Sequence, residues 1–447
     1  VANTALLCGR HLKTIKDYLM KKVLFVCMLS VAAFLTAFAP ADEEVFINRH
    51  MDLARAQVEH MVQAMKDKEG FPRTINTTGN MVTTNMYDWT PGFFPGSLWQ
   101  VYAYSPDTAL KANAISWTER LEPLKFFTEH HDLGFMMYCS FGNAYKLTGN
   151  PKYKDDLVQA ARSLSTRFDT KTGCIKSWNN FRSWHGTKVY QYPVIIDNVM
   201  NLELLFFATK VSGDSSFYKI AITHADNTLK NQFRKDYSSY HVVCYNKETG
   251  AVEGRETAQG LADNSTWARG QAWAIYGYTM IYRETGDPRY LKAARGMADF
   301  FINHKNLPAD KVPYWDFNIG QEGYIPGVNS YARKDIGHYR DASAAAITAS
   351  ALLELSTYAG REGKRYREPA IKMIKSLASP AYRSEPGTNG NFLIKHCVGS
   401  IPHQTEIDVP LVYADYYFLE ALHRYKLLVK GEKLFPVALK GGEAHGR

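Results

Sequence analysis

The chain has 447 residues, is 22% charged and 45% hydrophobic, and carries a net charge of +9, a globular balance much longer than one small core needs. The positive charge is scattered and accompanies no nucleic-acid-binding motif, which argues against a nucleic-acid partner. Aromatic residues reach 13%, which suits a carbohydrate cleft and a large core equally well.

Residues 20–41, MKKVLFVCMLSVAAFLTAFAPA, have the pattern of an export signal: Lys21 and Lys22 precede an apolar stretch, and Ala39-Pro40-Ala41 forms a small-x-small cleavage site. The expected mature chain begins near Asp42, carries about +5, and is periplasmic. Cys27 lies inside the apolar run, so no lipobox is evident, and no later apolar run is long enough to span a membrane. The predicted division is therefore 1–41, upstream sequence and signal peptide, and 42–447, one catalytic domain. Cys139, Cys174, Cys244 and Cys397 remain in it, with neither paired metal spacing nor the density of a disulfide scaffold. No metal is expected.

Helical periodicity begins at 49–65. A loop rich in proline and glycine follows, ending in Pro91, Gly92, Pro95 and Gly96, with Ser97 as the predicted cap of the next helix. Further helices are predicted at 116–129, 134–147, 151–166, 196–211, 214–232, 265–284, 288–303, 341–358, 364–378 and 408–427. A weak repeat joins them, since Gly149, Gly213, Gly286 and Gly360 each follow a helical stretch, and Pro151 and Pro288 can open the next helix. Short turns alternating with long connections predict an all-α toroid of six helix pairs, an (α/α)6 barrel, with the long connections gathered at one rim.

Those connections hold the unusual residues, among them Trp178, Trp184 and His185. Asp132 and Asp197 each stand where a helix begins, and a lone carboxylate there reads first as a cap. Taken together, the two would face one cavity of a toroid, where burial and repulsion raise one carboxyl and leave a proton available near neutrality. Asp263, Asn264, Ser265 and Thr266 are predicted to cap a buried aromatic helix carrying Trp267, Arg269 and Trp273. Indoles that cover a sugar ring and a guanidinium that forks onto a carboxylate suit a sugar acid; the plainer reading is a core helix with a snorkelling arginine. Arg182, Lys188, Arg255 and Lys395 are loop cations read as solvent-facing.

The segments WTPGFFPGSLW (89–99), HDLGFM (131–136), IDNVMN (196–201) and STWARGQAW (265–273), with His241 and Gln259 between them, make the chain resemble the unsaturated glucuronyl hydrolases, glycoside hydrolase family 88. The resemblance spans most of the chain beyond residue 41. It implies an (α/α)6 barrel that releases 4,5-unsaturated uronic acid from the nonreducing end of lyase-generated oligosaccharides of glycosaminoglycan type. It also implies Asp197 as acid/base, Asp132 as the second essential carboxylate, and Trp89, His131, His241, Gln259, Trp267, Arg269 and Trp273 as substrate-binding residues. The implied chemistry is hydration of the C4=C5 double bond, which needs no metal or organic cofactor. Competing readings are an unsaturated galacturonyl or rhamnogalacturonyl hydrolase acting on pectin fragments, and a non-catalytic envelope protein that binds glycans. The preferred glycan, its sulfation and the oligomeric state stay open.

Overall fold

The computed structural model describes residues 41–435, so the expected export signal lies, apart from Ala41, outside the described residues. Two compact units divide the described chain, a large one at 51–425 and a small one formed by 41–50 and 426–435.

Twelve helices run through the described residues. They are α1 (41–65), α2 (Phe93–Tyr104), α3 (Thr108–Glu119), α4 (Asn143–Thr148), α5 (Pro151–Ser165), α6 (Leu202–Ser212), α7 (Ser215–Asn231), α8 (Ala268–Thr285), α9 (Pro288–Asn303), α10 (Ala342–Tyr358), α11 (Gly363–Leu377) and α12 (Val412–Val429). Two inner helices are entered through tighter or wider winding: π-helix over Gly134–Gly142 leads into α4, and a 3-10 helix over Ile196–Asn201 leads into α6.

The helices sort by burial. Ala268–Ile281 of α8 and Ala342–Leu355 of α10 are buried on every side, as an inner wall requires, whereas α9 buries Tyr290, Ala293, Ala294, Met297, Ala298, Phe301 and Ile302, the stripe of an outer helix. Each inner helix pairs with the outer one that follows it, α6 with α7, α8 with α9 and α10 with α11, and α8 also packs on α6 and α10. The wall closes where Phe93 of α2 meets Tyr413, Tyr416 and Tyr417 of α12, ring centroids 5.5–5.9 Å apart. The fold is the expected (α/α)6 barrel.

Sequence chemistry explains the short turns. Gly149, Gly213 and Gly286 end α4, α6 and α8 in the left-handed region at φ 67°, 76° and 70°, where a Cβ is strained. Asn150, Asp214 and Asp287 then accept N–H groups of the next first turn, and Pro151 and Pro288 open α5 and α9. Inside the wall Arg283 of α8 pairs with Glu354 of α10 at 2.9 Å and with Glu203 of α6, while Arg424 of α12 pairs with the same Glu354 at 3.1 Å.

All strands of the described residues lie in the long connections: β1 (Phe71–Ile75), β2 (Met81–Thr84), β3 (Phe168–Asp169), β4 (Cys174–Ile175), β5 (Phe181–Arg182), β6 (Val189–Tyr190), β7 (Pro193–Ile195), β8 (Val242–Tyr245), β9 (Val252–Glu256), β10 (Cys397–Ser400) and β11 (Thr405–Val409). β7, β8 and β9 form an antiparallel sheet with β8 central, a product of the β-branched runs PVI and VVCY.

Three local expectations are corrected. The helix expected at 116–129 is α3, capped by Asp107, which accepts the Leu110 N–H; only a 3-10 turn, Glu122–Phe126, follows, with Pro123 unable to donate an α-helical bond. α2 starts at Phe93, so Ser97 is not a cap, and its hydroxyl donates back to the Phe93 carbonyl. No side chain caps α8: Ser265 donates to Asp316, Asp263 accepts the Thr257 N–H, and Asn264 reaches the Gly323 carbonyl.

Candidate active site

The long connections bring the expected residues together around Asp197. The Ile196 N–H donates to the His241 carbonyl at 3.0 Å, which sets the Asp197 turn beside the start of β8. His241 Nε2 lies 3.9 Å from Asp197 Oδ2, and the His241 ring lies against Trp267 at 4.5 Å. From the other side the Phe135 N–H donates to Asn201 Oδ1 at 3.0 Å. Gly134 makes this approach feasible, because a Cβ there would stand 2.4 Å from Asn201 Cα. The segment carrying Asp132 is thereby pressed against the turn carrying Asp197. Phe135 then contacts Trp273 at 4.9 Å and Trp89 at 5.6 Å, and Trp89 packs on Tyr413 at 4.8 Å.

Neither carboxylate caps its helix. The positions before the π-wound and 3-10 segments are Leu133 and Ile195, and neither segment has a side-chain cap. Both aspartates are instead buried with different company. Burial pushes the Asp197 carboxyl up to about 7; the Arg269 guanidinium pulls against that shift and the Asp132 charge adds to it. For Asp132 burial also acts upward, but the neighbouring histidines outweigh it and hold the carboxyl below its ordinary value. Burial lowers His131 to about 4 and His241 well below its usual value, so both rings are neutral at pH 7. One carboxyl is charged and the other is poised to hold a proton.

Buried polar atoms without a hydrogen-bond partner converge here: Asp197 Oδ2, both nitrogens of His131, His241 Nε2, Arg269 Nε, and the indole nitrogens of Trp267 and Trp273; His131 Nε2 lies 3.4 Å from Asp132 Oδ1. The Trp273 N–H is close enough to favour the charged Asp197 carboxylate, though outside ordinary hydrogen-bond geometry. Such a set suits a ligand dense in hydroxyl groups.

Arg269 differs from expectation. Its guanidinium is buried, and its forked ends already donate to Asp341 Oδ2 at 3.2 Å, to the Val398 carbonyl and to the Gly399 carbonyl at 2.8 Å, with Trp267 and Tyr413 stacked on it at 4.4 and 5.2 Å. The two terminal nitrogens of the fork are thus held by the protein, while Nε stays buried without a hydrogen-bond partner. Gln259 likewise donates to the Gly399 carbonyl at 3.1 Å, and its own N–H donates to His241 Nδ1 at 3.1 Å, leaving Nε2 to face Asp197.

A cleft of about 440 Å³ adjoins this centre, lined among others by Trp178, Phe181, Arg182, Trp184, Gln259 and His403. Trp178 links the two, 6.4 Å from His241. Of the four loop cations only Arg182 lines the cleft; Lys188 lies over Tyr190, Arg255 donates to the Asn231 carbonyl, and Lys395 donates to the Pro380 carbonyl. Two residues near the centre went unsingled in the sequence: Tyr413 carries a buried hydroxyl without a hydrogen-bond partner, and His130 contacts Asp132 at 3.0 Å. The doubled histidine before Asp132 was the only available signal for His130.

Known proteins match this picture. The model of Glycosyl Hydrolase Family 88 matches residues 58–281. The chain is 41% identical to an unsaturated glucuronyl hydrolase of Formosa agariphila, over 92% of this chain and 100% of that protein. It is 33% identical to an unsaturated chondroitin disaccharide hydrolase of Streptococcus pyogenes serotype M1, over 85% and 91%. The crystal structure of an unsaturated glucuronyl hydrolase specific for heparin superposes with a TM-score of 0.79 at 43% identity, covering 88% of this chain and 99% of that one. With a barrel, an unequal buried carboxyl pair and relatives aligned nearly end to end, the chain belongs to glycosyl hydrolase family 88.

Proposed function

We propose that this enzyme releases 4,5-unsaturated uronic acid from the nonreducing end of lyase-generated glycosaminoglycan-type oligosaccharides by hydrating the C4=C5 bond. The observation that carries the reading is Asp197, a buried carboxyl raised to about 7 whose unpartnered oxygen faces neutral donors. The relatives described as glucuronyl, chondroitin-disaccharide and heparin-specific hydrolases support the substrate class.

The double bond carries the ring oxygen on C5 and is an enol ether. The Asp197 carboxyl delivers its proton to C4, and positive charge develops on C5 and the ring oxygen. Water attacks C5 and returns its proton to the Asp197 carboxylate. The C5 hemiketal opens by breaking its bond to the ring oxygen. C1 is then a hemiacetal that expels the aglycone with the oxygen of the original linkage. Asp132 stays charged throughout, which favours the developing cation and leaves the transferable proton on its partner. The indoles of Trp89, Trp267 and Trp273 offer apolar faces and N–H groups to the terminal sugar, His131, His241 and Gln259 orient it, and the adjoining cleft takes the aglycone. Arg269 serves by its field on Asp197 and by holding β10 in place.

A panel of lyase-generated disaccharides, followed by loss of the conjugated ultraviolet absorbance, tests the substrate class. Asp197→Asn keeps the size but removes the proton and is expected to lose at least about a hundredfold in kcat with binding largely kept. In heavy-oxygen water the label should enter at C5 of the released sugar. Label at C1 would mean direct glycoside hydrolysis and would defeat the hydration route even with Asp197 essential.

A further inference from the structure

The proton on Asp197 is useful only while Asp132 remains an anion, and something must stabilise that buried charge. His131 Nε2 lies 3.4 Å from Asp132 Oδ1, but burial lowers that ring to about 4, so at pH 7 it meets the carboxylate as a neutral imidazole and not as a cation. His130 has the geometry to supply one. Its Nδ1 lies 3.0 Å from Asp132 Oδ2 and its Nε2 lies 3.0 Å from the Tyr87 carbonyl. Both neighbours are acceptors, so both ring nitrogens must carry protons to satisfy them, which only the imidazolium does. The Asp132 N–H also stands 3.3 Å from Nδ1, a bond that would need the neutral ring. The shorter contact, to a charged oxygen, is the stronger of these two exclusive arrangements.

We propose that His130 is a positioning residue which, as an imidazolium bridging Asp132 and the Tyr87 carbonyl, keeps Asp132 charged and ties the loop bearing Trp89 to the carboxyl pair. This rests on the assignment of Asp197 as the proton donor.

The other groups around His130 fit the role. Its ring packs edge-on against Phe127 at 4.6 Å, and Phe127 in turn contacts Tyr87 at 5.8 Å, so the imidazole is held between two segments. Arg167, just past α5, opposes a charge on His130 from a distance, but its guanidinium is spent on the Thr128 and Lys176 carbonyls. On the histidine's own segment, Glu129 accepts from Asn179 at 3.0 Å and turns away to that loop. Asp132 is the anion in direct contact. Burial alone would lower His130, yet the Asp132 carboxylate outweighs it and raises the ring above its ordinary value. The tether also reaches substrate chemistry, because Tyr87 is two residues from Trp89, whose indole packs edge-on against Phe135 and tilted against Tyr413.

The test is the pH dependence of kcat/KM in His130→Asn and His130→Gln. Asn places a neutral donor near the Nδ1 position and Gln near Nε2, so each can replace one contact while neither replaces the charge. Without the cation Asp132 takes up a proton at higher pH, and the acid limb, which reports loss of the Asp132 anion, should move up by at least about one pH unit in both variants. A uniform loss of activity with both limbs at the wild-type pH would overturn the proposal. Nitrogen-15 NMR of labelled histidine in the intact enzyme offers an independent reading that needs no folded variant: His130 should be an imidazolium at pH 7, and a neutral ring there also overturns it. Asp197→Asn is assayed alongside. Full activity in that variant would end the Asp197 assignment itself, whereas an inactive Asp197→Asn beside unshifted His130 profiles would end only the role of His130.

Discussion

A carboxyl that keeps its proton at pH 7 costs the fold something at higher pH, and Asp197 is such a group. Its folded value, about 7, lies above the ordinary carboxylate value, so the folded state binds more protons than the unfolded state between them. Its contribution to stability is therefore full at pH values below the unfolded pKa and is lost as pH rises through about 7. Asp197→Asn removes this titration. The variant should be inactive yet gain stability relative to the parent as pH rises from about 5 to about 8, by an amount on the order of a few kcal/mol, read from denaturant midpoints. A stability difference that is flat with pH would mean Asp197 is already ionised in the fold. The two aspartates were legible as a pair in the sequence, and the family resemblance pointed to Asp197 as the acid/base, but the physical reason that it holds the proton was not legible. That choice depends on His130, Arg269 and the depth of burial, which distant parts of the chain bring together. Arg269 was legible as a buried charge; its acceptors at Asp341, Val398 and Gly399 lie far along the chain, and no local pattern announces them.

Among the elements, those with local chemistry were the readable ones. The left-handed glycines, with Pro151 and Pro288 after two of them, marked the ends of α4, α6 and α8 and the starts of α5, α7 and α9 within a residue or two. The π-winding at Gly134–Gly142 and the 3-10 turn at Ile196–Asn201 were read as ordinary α-helix, because their departures from α-geometry arise where two inner helices meet at the site. Gly134 is the point of closest approach. Gly134→Ala should force the two segments apart, since the added carbon would meet Asn201 Cα at 2.4 Å and Oδ1 at 2.6 Å. The expected outcome is a fall in kcat of at least about tenfold with helical circular dichroism retained, because displacement of about 1 Å already costs catalysis heavily. Wild-type kcat in that variant would show that the spacing of Asp132 and Asp197 tolerates movement.

At the scale of the whole molecule, helix number and the alternation of short turns with long connections could be read, whereas the closure of the ring could not. Closure depends on Trp89 and Phe93 meeting Tyr413, Tyr416 and Tyr417, pairs separated by more than three hundred residues, and on Arg424 reaching back to Glu354. A chain ended after Pro410 lacks this last wall and leaves Glu354 without its Arg424 partner. It should melt without a cooperative transition in calorimetry; a sharp transition would mean that five pairs form a stable open barrel. The aromatic seam also bears on the order of events during synthesis. Tyr413 is made more than three hundred residues after Trp89 and Phe93, so no earlier portion of the chain can complete the ring. Contacts this distant in sequence make the final search slow, and a nascent chain must keep the apolar faces of α2 and α10 guarded until the twelfth helix arrives. Where the seam falls thus sets how long those faces stay uncovered.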